Sequence, residues 1–127
     1  MLYVGALKLK AQIMCGDEFA MGPGKADLLD AIAREGSISG AGRALGMSYR
    51  RAWLLVDTMN RCWSQPLVMT TAGGGEGKGA RLSPFGREVL DAYRGLEEKL
   101  AETAGDGPLQ ALADKLLAKP RASQGQP

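Results

Sequence analysis

The stretch SGAGRALGMSYRRAWLLVDTMNR, residues 39–61, holds two helix signals separated by a turn signal. Ala41 and Ala44 are small enough for a short helix to pack closely on a neighbour, and Gly46 permits a sharp turn after it. Ser48 then reads as the N-cap of a longer helix, from Tyr49 to about Cys62. A helical projection puts Tyr49, Ala52, Trp53, Val56, Met59, Asn60 and Trp63 on one face, which reads as core. Arg50, Leu54, Asp57 and Arg61 fall on the opposite face. A short helix, a tight turn and a longer helix opening on two arginines is the order of a helix-turn-helix, whose second helix enters the major groove.

The flanking sequence extends this reading. Upstream, Leu28, Leu29, Ile32 and Ala33 recur at helical spacing from Lys25 to Glu35, and Gly36 serves as a stop. The short second helix is expected from about Ser39 to Leu45, with Ser37 or Ser39 as its cap. Nearer the N-terminus, Leu7, Leu9, Ala11 and Ile13 alternate with polar residues and predict one strand over Leu7–Met14. The turn-rich GDEFAMGPG follows it. Downstream, LVMTT and ARLS predict two short strands of a hairpin around a glycine run. Ser83 caps the next helix, with Pro84 at its first position. The apolar stripe Phe85, Val89, Tyr93, Leu96 and Leu100 runs along that helix for more than four turns and predicts a dimer interface.

The expected fold is therefore mainly α with a small β-hairpin wing: a winged helix-turn-helix over residues 1–104 that includes a long dimerisation helix, 84–104. A short helix, Leu109 to Leu117, is expected within 105–118 after the break at GDGP. Residues 119–127 read as a disordered tail.

The glycine run, Gly73 to Gly79, superficially resembles a phosphate-binding loop, but the spacing fails. Counting back from Gly77-Lys78, Ala72 stands where the first glycine is needed and Gly79 where the Mg²⁺-binding hydroxyl is needed. The following helix signal, Ser83-Pro84, lies too far along for the loop amides to sit on a helix N-terminus. As the tip of a wing the run makes sense. Glycines let a backbone approach a phosphate or a groove wall, while Lys78 and Arg81 supply charge.

Composition narrows the function classes. The chain has 127 residues, a net charge of +2 and no histidine, which excludes Ser-His and Cys-His nucleophile pairs and histidine-containing zinc sites. No concentrated set of carboxylates or lysines appears, so no enzyme activity, metal or cofactor is expected. Cys15 and Cys62 form no C-x-x-C and read as two reduced core thiols. No apolar run reaches the roughly 18 residues of a membrane span. Lys8 and Lys10 lie inside the N-terminal alternation rather than ahead of it, unlike a signal peptide, so a cytoplasmic protein without membrane contact is expected. Residues 25–82 carry eight Lys/Arg against five Asp/Glu, whereas 83–127 carry six against seven, so the basic excess lies with the helix-turn-helix.

The candidate DNA-binding set is Ser39, Arg43, Ser48, Tyr49, Arg50, Arg51, Leu54, Arg61, Lys78 and Arg81. Arg50 and Arg51 fall in the first turn of the recognition helix, where arginine pairs bidentately with guanine or holds a phosphate oxygen. Arg43 falls near the backbone. Either Leu54 or Leu55 belongs to the core, not both. Asp57 suits a pair with Arg61 at i+4 or acceptance from cytosine. Asn60 is expected to tie its helix to the wing strand.

Two segments, GSISGAGRALGMSYRRAWLLVDTMN (36–60) and GGGEGKGARLSPFG (73–86), resemble the N-terminal DNA-binding domain of the molybdate-responsive transcriptional regulators, a winged helix related to the LysR type. The shared motif is Gly-Ser-Ile-Ser, then Ser-Tyr-Arg-x-Ala-Trp, Met-Asn, a glycine-rich wing, and Leu-Ser before a long helix; LKLK near the N-terminus fits it too. The similarity covers about residues 7–100. It implies a homodimeric regulator, a repressor, that binds double-stranded DNA at a palindromic operator, commonly at genes for molybdate uptake. Full-length family members carry β-rich C-terminal domains that bind molybdate; this chain is expected to lack them, so direct molybdate binding is not expected of it. The competing expectation is an interaction module, a winged helix that pairs with a full-length homologue or another partner and has little DNA affinity of its own.

Overall fold

The computed structural model describes residues 1–71 and 79–125. Two antiparallel hairpins open the chain, β1 (Leu2–Val4) with β2 (Leu7–Leu9) and β3 (Ile13–Cys15) with β4 (Glu18–Met21). Helices α1 (Pro23–Glu35), α2 (Ile38–Ala44) and α3 (Tyr49–Cys62) follow. The antiparallel pair β5 (Val68–Thr70) and β6 (Ala80–Leu82), then α4 (Pro84–Ala104) and α5 (Gly107–Ala113), complete the order. This is a winged helix, mainly α with small antiparallel sheets, as expected.

Local chemistry accounts for the element ends. Ser37, Ser48 and Ser83 each accept a hydrogen bond from the backbone N–H three residues on, at Gly40, Arg51 and Gly86. Pro23 and Pro84 sit at helix starts, where a missing N–H costs nothing. The Gly36 N–H closes α1 on the Ile32 carbonyl.

The core lies where α1 meets α2, α3, the wing and α4. Leu28, Leu29 and Ile32 of α1, Met59 of α3, Leu67 before β5 and Leu90 of α4 are fully buried. Each such side chain contributes roughly 1.5–3 kcal/mol when taken from water. The wing is fastened to this core by main-chain bonds: the Ala80 N–H donates to the Gly36 carbonyl (2.9 Å), and the Ser83 N–H to that of Leu67 (2.9 Å). The Ser83 hydroxyl donates to the Pro66 carbonyl at 2.6 Å. Gly86 is the closest approach, because a Cβ there would collide with the Leu67 backbone.

Several expectations require correction. The single strand over Leu7–Met14 is two strands from different hairpins, interrupted at residues 10–12. Alternation gives the side-chain period but not the strand's partner, and here the partners are Leu2–Val4 and Glu18–Met21. The last helix spans Gly107–Ala113 rather than Leu109 to Leu117, and it buries no residue. Residues 119–125 carry no helix or strand. Cys15 is exposed and Cys62 half-buried, so neither is a core thiol.

The α4 stripe is also divided. Tyr93 is 4% exposed, buried in the chain's own core, and its hydroxyl donates to the Ala11 carbonyl at 2.7 Å. Phe85 and Val89 pack against that same core. Leu96 and Leu100 are the exposed members. β1 and α1 pack against α4, and the segment carrying Ala11 closes over Tyr93, a covering that periodicity alone does not reveal. Val89, Ala92 and Leu96 line one side of an open apolar groove of about 210 Å³, with Ile13, Met21 and Trp63 opposite.

Beside the groove, Arg94 ties α4 to α1. Its guanidinium contacts Asp30 at 2.7 Å, Glu97 at 2.9 Å and Asp27 at 3.0 Å. Those three carboxylates raise its pKa against the opposing effect of burial, so it stays charged throughout. Glu97, nearly buried, also lies 3.8 Å from the N-terminal ammonium.

Candidate nucleic-acid interface

The start of α3 is positioned by a tight junction with α2. Gly46 has φ +71°, a left-handed conformation that costs other residues about 1 kcal/mol or more. The Met47 N–H returns to the Gly42 carbonyl at 2.9 Å. A Cβ on Gly42 would sit 3.2 Å from the Met47 carbonyl oxygen and 3.4 Å from the Ala52 Cβ. Residues 42 and 52 thus set the spacing of the two helices, while Ala52, Val56 and Met59 seat α3 on the core.

With that face buried, the N-terminal half of α3 turns outward. Ser48, Tyr49, Arg50, Arg51 and Leu54 are all exposed, and Arg43 is exposed at the end of α2. Ser39 is half-buried. Leu55 is the leucine packed on the core, which leaves Leu54 free, 44% exposed. Trp53, expected in the core, is 47% exposed, and Tyr49, from the same expected face, is 56% exposed. The buried stripe of α3 is narrow, only Ala52, Val56 and Met59 along the whole helix, so aromatic residues at its margin face solvent. Trp53 is consequently a candidate that sequence reasoning assigned to the wrong side.

Charge distinguishes this end of the helix. Among the described residues, Arg43, Arg50 and Arg51 make no ion pair, whereas Arg61, Arg87 and Arg94 each do. The first turn of α3 holds no acidic residue. Two cations at the positive end of a helix macrodipole are unfavourable, and an anion placed there relieves both the arginines and the unpaired N–H groups. Lys25 of α1 lies elsewhere, over the Phe19 ring of β4 at 5.8 Å. Burial lowers its pKa, and the Arg51 charge lowers it further, against the pull of Cys62 and Glu18.

At the other end of α3, Arg61 is engaged. It holds Asp57 at 3.0 Å and Glu18 of β4 at 3.7 Å. The Asp57 hydrogen bond and charge raise its pKa. The i+4 pair read from the sequence is therefore present, and it turns Arg61 toward its own chain. Asn60 meets β5: its carboxamide oxygen accepts from the N–H groups of Leu67 (2.9 Å) and Val68 (3.1 Å).

Arg81 lies exposed on β6, opposite Met69 across the wing. Lys78 and the glycine run up to it lie outside the described residues. At the base of that loop, the Thr71 N–H donates to the Gly79 carbonyl at 2.9 Å, and the Gly79 N–H to the Thr71 hydroxyl at 2.8 Å. The described part of the wing thus closes at Thr71 and Gly79, with Arg81 of β6 on the surface.

Comparison with known proteins agrees with this geometry. No family model matches the chain. The molybdenum transport protein ModE of Azotobacter vinelandii is 42% identical over 95 residues, covering 66% of this chain and 35% of that protein. The molybdenum-pterin-binding protein MopA of Rhodobacter capsulatus is 42% identical over 78 residues, 61% of this chain and 29% of that protein. Among solved structures, the full-length LysR-type regulator LysG of Corynebacterium glutamicum superimposes with a TM-score of 0.51 at 25% identity, over 76% of this chain and 30% of that one. The chain spans about a third of the length of the curated relatives it matches, 35% in the first case. Over the segment it shares with them, the chain is a homologue of the ModE- and Mop-type molybdenum-related regulators, and its fold is the winged helix of the LysR type.

Proposed function

We propose that the chain is a sequence-specific DNA-binding regulator of molybdenum-related genes. It acts as a homodimeric repressor at a palindromic operator. The observation that carries this reading is the start of α3, where Arg50 and Arg51 stand exposed and without ion-pair partners among the described residues, beside Tyr49, Trp53 and Leu54. Arg50 and Leu54 read base edges in the major groove. Arg43 and Arg51 hold phosphates, and the wing, with Arg81 and Lys78, lies along the adjacent backbone. The regulated genes are inferred from the names of the relatives, which include a DNA-binding transcriptional dual regulator of Escherichia coli.

The dimer uses the exposed part of α4. Leu96 and Leu100, with the outer edge of Val89 and the apolar groove beside them, supply a surface continuous along the helix. Residues 84–104 are the dimerisation helix of a unit spanning 1–104, and 105–118 extend from it. Two-fold pairing would set two recognition helices roughly 34 Å apart, one turn of DNA.

Selection of bound sequences from random duplex DNA, at two salt concentrations and with and without molybdate, tests the reading. The expected result is a palindrome with half-sites about one turn apart, bound less tightly as salt rises because phosphate contacts release counterions. Enrichment of no sequence would overturn it.

A further inference from the structure

Cys15 and Cys62 are the chain's two cysteines, and they lie 47 positions apart in sequence. The fold brings them together at the C-terminal end of α3. Cys15 ends β3 and pairs across the hairpin with Glu18, whose carboxylate reaches Arg61 at 3.7 Å. On the other side of Cys62, the Trp63 indole N–H donates to the Ala20 carbonyl of β4 at 3.0 Å. Both sequence neighbours of Cys62 are therefore fastened to the hairpin that carries Cys15. Burial pushes the Cys62 thiol above its ordinary range, and the neighbouring Cys15 thiol adds to the effect. Cys15 is exposed while Cys62 is half-buried, so one thiol is open to a reagent from solution and the other stands behind it.

We propose that Cys15 and Cys62 form a reversible intramolecular disulfide that locks the end of the recognition helix to the β3–β4 hairpin. A hydroperoxide is the oxidant. Attack of the Cys15 sulfur on the peroxide O–O bond gives a sulfenic acid and water. The Cys62 sulfur then displaces the sulfenic hydroxyl, which leaves as a second water with the thiol proton. Two thiols and one hydrogen peroxide thus become one disulfide and two waters. A dithiol reverses the step by exchange through a mixed disulfide. The bond adds a covalent, redox-dependent tie to this end of α3, where the polar contacts beside it are an indole hydrogen bond and an exposed ion pair. This inference does not depend on what α3 recognises.

The test treats the reduced full chain with hydrogen peroxide at low protein concentration, then denatures and alkylates it. The expected product is a monomer two hydrogens lighter that takes up no alkyl group, yields a Cys15–Cys62 linked peptide, and is restored by dithiothreitol. Its Tm rises by on the order of 10 °C, since the bond closes a long loop in the unfolded chain. Cys15→Ser, at an exposed position, folds as the parent does and shows no peroxide-dependent rise. Alkylation of both thiols after peroxide, over-oxidation of Cys15, or a disulfide between two chains would each overturn the proposal.

Discussion

The side chain of Asn60 pairs with the backbone of Val68 as a neighbouring strand would. Its amide N–H donates to the Val68 carbonyl at 3.0 Å, and its carboxamide oxygen accepts from the Val68 N–H at 3.1 Å. The same oxygen takes the Leu67 N–H at 2.9 Å. Three main-chain groups at the entry to the wing are satisfied by one residue of α3, so the wing's position relative to α3 is set by hydrogen bonds as well as by packing.

Removing that side chain strands polar groups beside two buried residues, Leu67 and Val68. Asn60→Ala is expected to lower stability by about 2–4 kcal/mol, more than a solvent-exposed hydrogen bond costs, because the orphaned groups keep their desolvation penalty. Urea denaturation followed by tryptophan fluorescence measures it. Asn60→Asp keeps the acceptor but loses the donor, and it should fall between the parent and the alanine variant. A loss for Asn60→Ala below about 1 kcal/mol would mean that water replaces the side chain.

Gly86 offers a sharper steric test. The first turn of α4 lies against the Leu67 backbone so closely that a Cβ would stand 2.8 Å from the Leu67 carbonyl carbon. In an exposed helix, Gly→Ala stabilises by roughly 1 kcal/mol. Here the sign reverses. Gly86→Ala is expected to cost about 1–3 kcal/mol through displacement of the wing entry, whereas Gly95→Ala, further along α4 with nothing within 4 Å of its Cβ position, should stabilise the fold. A calorimetric comparison of the two variants decides the point.

These two residues also mark how far the sequence is legible. Serine caps, Gly46 and the Pro84 start speak through local chemistry, which needs no partner, and most of the helices and the wing follow from them; Pro23, which reads as part of a Gly-Pro-Gly turn, instead opens α1. Asn60 was readable because a polar residue on an apolar helical face must find a partner. Trp53 and Tyr93 were not. Each falls on a face that projection alone makes ambiguous, and the outcome depends on which distant element covers it. The segment carrying Ala11 closes over Tyr93, whereas Trp53 stays half exposed. The N-terminal hairpins were missed for a related reason: strands of three or four residues carry too few alternations to separate one strand from two.

Tyr93 predicts a pH dependence. Burial first, then the nearby Glu97 charge, raises its phenol above the ordinary value of 10.0. The unfolded chain therefore ionises this group at lower pH than the folded chain does. The stabilisation from the neutral phenol is complete below pH 10 and is lost as pH rises through the folded-state value. Tyr93→Phe should cost about 1 kcal/mol at neutral pH, for the bond to Ala11. Above pH 10 the parent should lose stability faster than the variant, so the gap narrows. Urea midpoints of both chains across the alkaline range measure it; parallel curves would show that the phenol ionises alike in both states.

The arginines of α3 separate DNA contact from internal structure. Arg50 has no ion-pair partner among the described residues, while Arg61 holds Asp57 at 3.0 Å. If Arg50 reads a base, Arg50→Ala removes roughly 1–3 kcal/mol of discrimination, a five- to 150-fold loss in affinity for the selected operator, and relaxes preference at one position per half-site. If it holds only a phosphate, affinity falls equally for every sequence and the salt dependence becomes shallower by about one ion. Arg61→Ala should change operator affinity by less than about threefold, since an exposed i+4 pair contributes only a few tenths of a kcal/mol. Titration of fluorescent duplexes carrying single-base changes distinguishes the three cases. A larger loss at Arg61 than at Arg50 would move the interface toward the C-terminal end of α3, away from the helix start where the unpaired charge is concentrated.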